Sequence, residues 1–251
     1  MAAVVVLIGA LGAAIGSFLT VVIHRLPKGE SLIRPRSHCP ECGALVRARD
    51  NIPVVSWLLL RGRCRDCGAR ISARYPAIEL LTAVSFVAIA LVRGVDSDLI
   101  LELPFAAMLI AIAGIDLEHK IVPNRIVAPA AVFGLAGAAV IKPDDLPELL
   151  IAGAAAFLAL FLAALAYPSG MGMGDVKLAG VMGLFLGSSV APALLVAFAS
   201  GTVVGIVVLV REGGSARKKG VPFAPFLALG GLVGVLVGPD LVDFYKDHFL
   251  N

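Results

Sequence analysis

Charge is what this sequence has least of. Asp, Glu, Lys and Arg together make up 16% of the 251 residues, and none falls between Ala2 and Ile23. Soluble domains normally carry about 25% charged residues, so the deficit excludes an ordinary soluble fold. Nothing basic precedes Val4, whereas His24, Arg25 and Lys28 follow the first apolar run. A cleavable signal peptide has its positive charge ahead of the run, so Ala2–Ile23 reads as a retained helix with its N-terminus outside. No long internal repeat or low-complexity linker is evident, and cysteine is confined to one stretch. What is abundant is apolar: 59% of residues are hydrophobic.

Several apolar runs exceed the roughly 18 residues that cross a bilayer. They predict an all-α polytopic membrane protein with about eight transmembrane helices, near 2–23, 76–92, 99–115, 126–141, 147–167, 176–187, 190–210 and 221–238. Cytoplasmic loops carry the excess of Lys and Arg. An outside N-terminus puts 24–75, 116–125, 168–176 and 211–220 in the cytoplasm, which with Lys177 at the edge of the third takes in 18 of the 21 Lys and Arg. Only Arg93, Lys142 and Lys246 remain outside. The expected organisation is a first helix (1–23), a basic cytosolic domain (24–75) and a transmembrane core (76–251). Basic loops at a membrane face anionic lipid, so lipid is the expected partner of 24–75 and nucleic acid is not. Gly12–Gly16, Gly201–Gly205 and Gly230–Gly234–Gly238 repeat at a spacing that lets helices approach closely.

All four cysteines lie in that loop, as Cys39-Pro-Glu-Cys42 and Cys64-Arg-Asp-Cys67. Two such pairs form a tetrahedral zinc signature. Glycine follows each pair (Gly43, Gly68), which suits the tight turn of a knuckle. Disulfides compete, but thiols stay reduced in the cytosol. Four thiolates fill the coordination shell, so the expected Zn2+ is structural, and it staples a loop too small to bury much core.

Charges within spans or at their ends are costly and mark functional candidates: Glu79, Glu102, Asp116, Asp175 and Lys177. Glu102 is expected near the outer surface among Asp96 and Asp98, solvated. Glu79 either pairs with a basic residue such as Arg74 or serves a site. Asp116 closes the third span and Asp175 opens the sixth, both at the cytoplasmic face. Two carboxylates at one depth can share a proton, one acting as base on a water and the other as acid toward a carbonyl. Gly172 and Gly174 ahead of Asp175 would let an extended substrate backbone approach, with Lys177 two residues beyond as a further substrate contact. Singly, Asp175 could be a helix N-cap and Asp116 could pair with Lys120. Together, behind glycines, they point to catalysis.

At this point the chain resembles the type IV prepilin peptidases, membrane aspartyl proteases of the GxGD kind. The resemblance is carried by GSFLTVVIHRLP (16–27), PRSHCPECG (35–43), NIPVVSWLLLRGRCRDCGARISARYPAIELL (51–81), DLEHKIVPN from Asp116, GMGDVKLAG and VPFAPFLALGG (221–231). It implies that Asp116 and Asp175 are the catalytic pair of an aspartic endopeptidase in the inner membrane. The implied substrates are type IV prepilins or pseudopilins, whose short basic leader is cut after a glycine ahead of an apolar helix. It further implies N-methylation of the new terminus with S-adenosylmethionine, on resemblance alone, since no glycine-rich cofactor fingerprint is present. Thr20 stands where asparagine is usual and Ala224 where glycine is common; neither position is expected to touch the aspartate motifs.

Other chemistries fit less well. A zincin needs HExxH, and no His-Glu dipeptide occurs. A serine protease of the bilayer needs serine and histidine within the bundle, yet His24, His38, His119 and His248 lie at or beyond span ends. The non-enzyme alternative is a proton-coupled small membrane transporter, which leaves the zinc module unexplained.

Overall fold

The computed structural model describes residues 2–167, 170–212 and 221–249. Arg217, Lys218 and Lys219, three cations of the topology count, lie outside the described residues. In lipid every backbone polar group must be satisfied within the segment, and the apolar runs are accordingly helical. They are α1 (Ala2–Arg25), α3 (Arg74–Arg93), α4 (Leu99–His119), α5 (Asn124–Ile141), α6 (Leu146–Ala166), α7 (Met173–Leu186), α8 (Val190–Glu212) and α9 (Ala224–Phe249). A short α2 (Val55–Leu59) sits in the loop after α1. Among the described residues seven stretches are long and apolar enough to cross a membrane, because α7 and α8 fall within one, Met173–Arg211. The 14 residues of α7 span about 21 Å, short of a hydrocarbon core of about 30 Å. It ends at Gly187, whose φ of 56° suits only a residue without Cβ.

By backbone contact the chain divides into residues 1–92 and 93–251. In the first unit α1 lies close against α3. A Cβ on Gly12 would come 2.8 Å from Ala83 Cα, and one on Gly16 2.7 Å from Glu79 Cα. The loop between them is built from two knuckles with matching hydrogen bonds. Cys39 N–H donates to Ala44 O and Gly43 N–H to Cys39 O; Cys64 N–H donates to Ala69 O and Gly68 N–H to Cys64 O. Gly43 and Gly68 both take φ near 70°, the conformation expected of them. Trp57 Nε1 donates to Ile71 O at 3.1 Å, fastening α2 to the second knuckle.

In the second unit α4 is the centre, with Phe105, Leu109, Ile112 and Ile115 at most 1% exposed. α6 packs on α7, α8 on α9, and α4 on α9. Gly230, Gly234 and Gly238 each leave room for a neighbour on the Ser189–Ala197 side, whereas Gly205 faces open space. One end of the unit is polar around a cavity of about 160 Å3 lined by Arg93, Glu102, Lys142 and Glu148. Glu102 is not solvated as its sequence neighbours imply: its side chain is 13% exposed and bonds Arg93 Nε at 3.1 Å. Arg93, nine residues earlier, returns over the start of α4 and takes the place of water. Lys142 pairs with Asp98 at 2.6 Å beside it.

α6 lies tightly against α7, where a Cβ on Gly183 would meet Ala152 O and Gly153 N at 2.6 Å. Both are backbone atoms, so Gly183→Ala must push the helices apart. Overpacking of this kind costs about 1–3 kcal/mol, seen as a lower Tm in detergent; Gly205→Ala should leave Tm unchanged.

Candidate active site

Asp116 occupies the last turn of α4 and is 5% exposed. The helix stops there because Lys120 takes a left-handed φ of 54° and returns its N–H to Asp116 O at 2.9 Å. Asp116 Oδ2 accepts the N–H of Ala224 at 3.1 Å. Ala224 opens α9, so the carboxylate sits at a helix N-terminus, where unpaired N–H groups and the helix dipole favour an anion. Ala224 therefore does touch the aspartate site, contrary to the reading of its motif as separate. The two residues are 108 apart, and only the packing of α9 on α4 brings them together. Thr20 belongs to the first unit, where its hydroxyl donates to Ser17 O at 2.7 Å.

Asp175 lies in the first turn of α7, but it is not the cap. Gly172 holds that position with extended backbone angles, and no side chain caps the helix. Asp175 N–H donates to Gly172 O at 3.1 Å, while its Oδ1 is buried with no hydrogen-bond partner. A carboxylate oxygen withheld from both water and protein donors is costly, and this one is left for another group to satisfy. α4 packs against α7, with Asp116 in the last turn of the one and Asp175 in the first turn of the other.

The glycines around Asp175 have separate uses. A Cβ on Gly172 would stand 3.4 Å from Asp175 Oδ2, crowding the carboxylate. A Cβ on Gly174 would overlap Val122 Cβ at 2.7 Å. Gly174 thus lets the start of α7 close onto the connection that follows Asp116. Lys177 is exposed and donates to Asn124 Oδ1, the first residue of α5, at 3.2 Å. Asp116, Asp175, Gly172, Gly174 and Lys177 are gathered at one end of the second unit. Asn124, Val122 and Ala224 join them and were not singled out as site residues, although DLEHKIVPN and VPFAPFLALGG contain all three.

Glu79 belongs to the first unit. It is 7% exposed and accepts the N–H of Val54 at 2.7 Å. Val54 has φ 61° and ψ −51°, and Val55 N–H closes onto Pro53 O at 2.6 Å. This is a γ-turn of the rare, strained kind, and a β-branched residue at positive φ is a true outlier. Glu79 clamps that turn at the head of α2. Glu79→Ala should release residues 52–62 to limited proteolysis, and Glu79→Gln, which keeps an acceptor, should not.

The four cysteine sulfurs lie within 4.8 Å of one another, and Cys39 Sγ is 3.8 Å from Cys67 Sγ. Metal–thiolate bonds of about 2.3 Å in a tetrahedron place sulfurs roughly 3.8 Å apart, so the cluster fits a metal ion. Backbone N–H groups of Cys42 and Glu41 bring the Cys39 thiol down to about 7. The Ala69 N–H acts likewise on Cys67, but its thiol neighbours, Cys42 first, push it up to about 12. Ion pairs tie the knuckles together: Arg65 bonds Asp50 through Nε at 2.8 Å and Nη2 at 2.6 Å, and Arg47 bonds Asp66 at 3.0 Å. The Arg65 guanidinium holds the Asp50 carboxyl below the usual carboxylate range.

Known proteins match along the same division of the chain. Residues 10–92 match the bacterial peptidase A24 N-terminal domain, and residues 103–210 match the type IV leader peptidase family. A prepilin leader peptidase/N-methyltransferase of Aeromonas hydrophila is 36% identical over 94% of this chain and 91% of its own length. That of Bacillus subtilis is 36% identical over 93% and 94%, and that of Myxococcus xanthus 39% over 81% and 62%. No solved structure matches. With both halves of the chain matched in order and two of these relatives aligned over more than 90% of both chains, the protein belongs to the type IV leader peptidase family.

Proposed function

We propose that this protein is an aspartic endopeptidase of the inner membrane that removes the short basic leader from type IV prepilins or pseudopilins, with Asp116 and Asp175 as its catalytic pair. The observation that carries this is the buried, unpartnered Oδ1 of Asp175 at the start of a helix that packs against the one carrying Asp116. One carboxylate takes a proton from a water, whose oxygen attacks the scissile carbonyl. The other, protonated, gives its proton to the carbonyl oxygen, and collapse of the tetrahedral intermediate expels the amine with a proton from the pair. Ala224 N–H fixes Asp116 for this exchange. Gly172 keeps the approach to Asp175 clear, and Lys177 stands beside it at the entrance. Glu79, in the other unit, acts on the fold of the loop and not on the substrate.

The distribution of Lys and Arg supports an N-terminus outside and aspartates on the cytoplasmic side. The cysteine cluster holds one structural Zn2+. Methylation of the new N-terminus with S-adenosylmethionine is proposed from the names of the relatives. The chain has no glycine-rich cofactor loop, and no residue is assigned to it. The proton-coupled transporter reading finds no support in a chain that matches peptidase models in both halves. Incubating the protein in lipid with a type IV prepilin and labelled S-adenosylmethionine tests the proposal by mass spectrometry. The expected product has lost its leader after a glycine and carries one labelled methyl group. A prepilin left intact would overturn the peptidase, and a cut but unlabelled one would overturn only the methylation.

A further inference from the structure

A groove of about 610 Å3 runs along the second unit between α5, α6 and α7. Its floor is one face of α7: Lys177, Gly180, Val181 and Leu184, spaced i, i+3, i+4, i+7 as a helix stripe must be. Its walls include Ala128 and Ala131 of α5 and Phe157 of α6. Ala128 and Ala154 are exposed and Phe157 is 37% exposed, so the groove opens to the outside of the unit, which in a bilayer is lipid. α6 and α7 pack tightly, while α5 and α6 barely meet, and the gap between those two is the groove.

Polarity changes along it. The only polar groups in the lining are Lys177 and Asn124, bonded to each other at the end nearest Asp175. Beyond them the lining is apolar for two turns of α7, roughly 10 Å at 1.5 Å per residue. We propose that this groove seats the apolar helix of the substrate immediately beyond the scissile bond. The inference rests on the peptidase reading and adds the surface that sets the register of the cut. The substrate of such an enzyme has the same change of polarity, basic before the bond and apolar after it. Lys177 repels the leader's cations from the groove, so the chain enters it only in the direction that leaves the leader on the aqueous side of Asp175. Amphipathic and apolar helices commonly bind by laying a stripe into such a groove, and the short side chains of Ala128, Ala131 and Ala154 leave room for it, while Gly180 lets Phe157 close onto α7 as one wall.

The test uses the full-length protein in lipid nanodiscs, with p-benzoylphenylalanine in place of Ala128 or Ala154, and in place of Val132, which is 68% exposed on α5 outside the groove. The probe is a type IV prepilin carrying its leader and apolar segment, and wild-type cleavage is recorded in the same nanodiscs. The expected result is a photo-adduct from positions 128 and 154 to the apolar segment, with none from 132. In parallel, Ala128→Trp should raise KM for the prepilin at least tenfold, and Val132→Trp should leave it unchanged. Cleavage by wild type with adducts only to lipid, or equally from all three positions, overturns the groove and leaves the peptidase standing. Failure of wild type to cleave overturns the peptidase reading, and the groove falls with it.

Discussion

Asp116→Asn is expected to lower prepilin cleavage by about 10²–10⁴-fold, the range that a positioned acid or base supplies, while leaving the protein folded. The amide has the shape of the carboxylate and still offers an oxygen to the N–H of Ala224, which the native carboxylate accepts at 3.1 Å. What it cannot do is take or carry the shared proton. A fall in turnover with an unchanged Tm would therefore place the defect in the chemistry. Ala224→Pro separates chemistry from positioning. Proline is tolerated in the first turn of a helix, so α9 should survive, but the donor to Asp116 is gone. Cleavage should fall by a smaller factor, about tenfold, because the carboxylate remains but is no longer held. If Ala224→Pro unfolds the protein, Asp116→Asn still decides the matter, because its acceptor is kept.

The second large effect concerns the cysteines. The sulfurs lie within 4.8 Å of one another on two knuckles that are otherwise held by turns of a few backbone bonds and by two ion pairs, Arg65–Asp50 and Arg47–Asp66. Structural zinc contributes about 10–16 kcal/mol of binding free energy in zinc-finger peptides, all of it coupled to folding. The expected metal content is one zinc per chain in the wild type and none in Cys42→Ser/Cys67→Ser. The double variant should expose residues 37–72 to proteolysis, while the second unit, which has its own core, keeps its Tm. A folded wild type free of metal, or a loop equally protected without its thiols, would contradict the assignment.

The long apolar runs made the helices legible in the sequence, since a chain in lipid has few other ways to satisfy its backbone. The cysteine spacing was equally plain, because both knuckles are local structures whose glycines announce their turns. Asp116 and Asp175 could be placed at one face by counting spans. Contacts made only by packing were hidden. Nothing near Ala224 signals that its N–H faces a carboxylate 108 residues away. Nothing around Gly174 names Val122 as the side chain it must clear. Glu102 looked solvated because its neighbours in sequence are acidic, whereas Arg93 folds back onto it. Glu79 could be picked out as unusual, but its use was obscure until Val54 was seen at positive φ, a conformation that sequence argues against.

Asp175 gives the most direct measurement: single-turnover cleavage of a type IV prepilin by wild type and by Asp175→Asn, at equal folded concentration in the same bilayer. Its unpartnered, buried Oδ1 has no structural bond to lose, so the variant should fold as wild type does and cut at least 10²-fold more slowly. Cleavage within a few-fold of wild type would contradict the account, because the aspartate would then be no part of the chemistry.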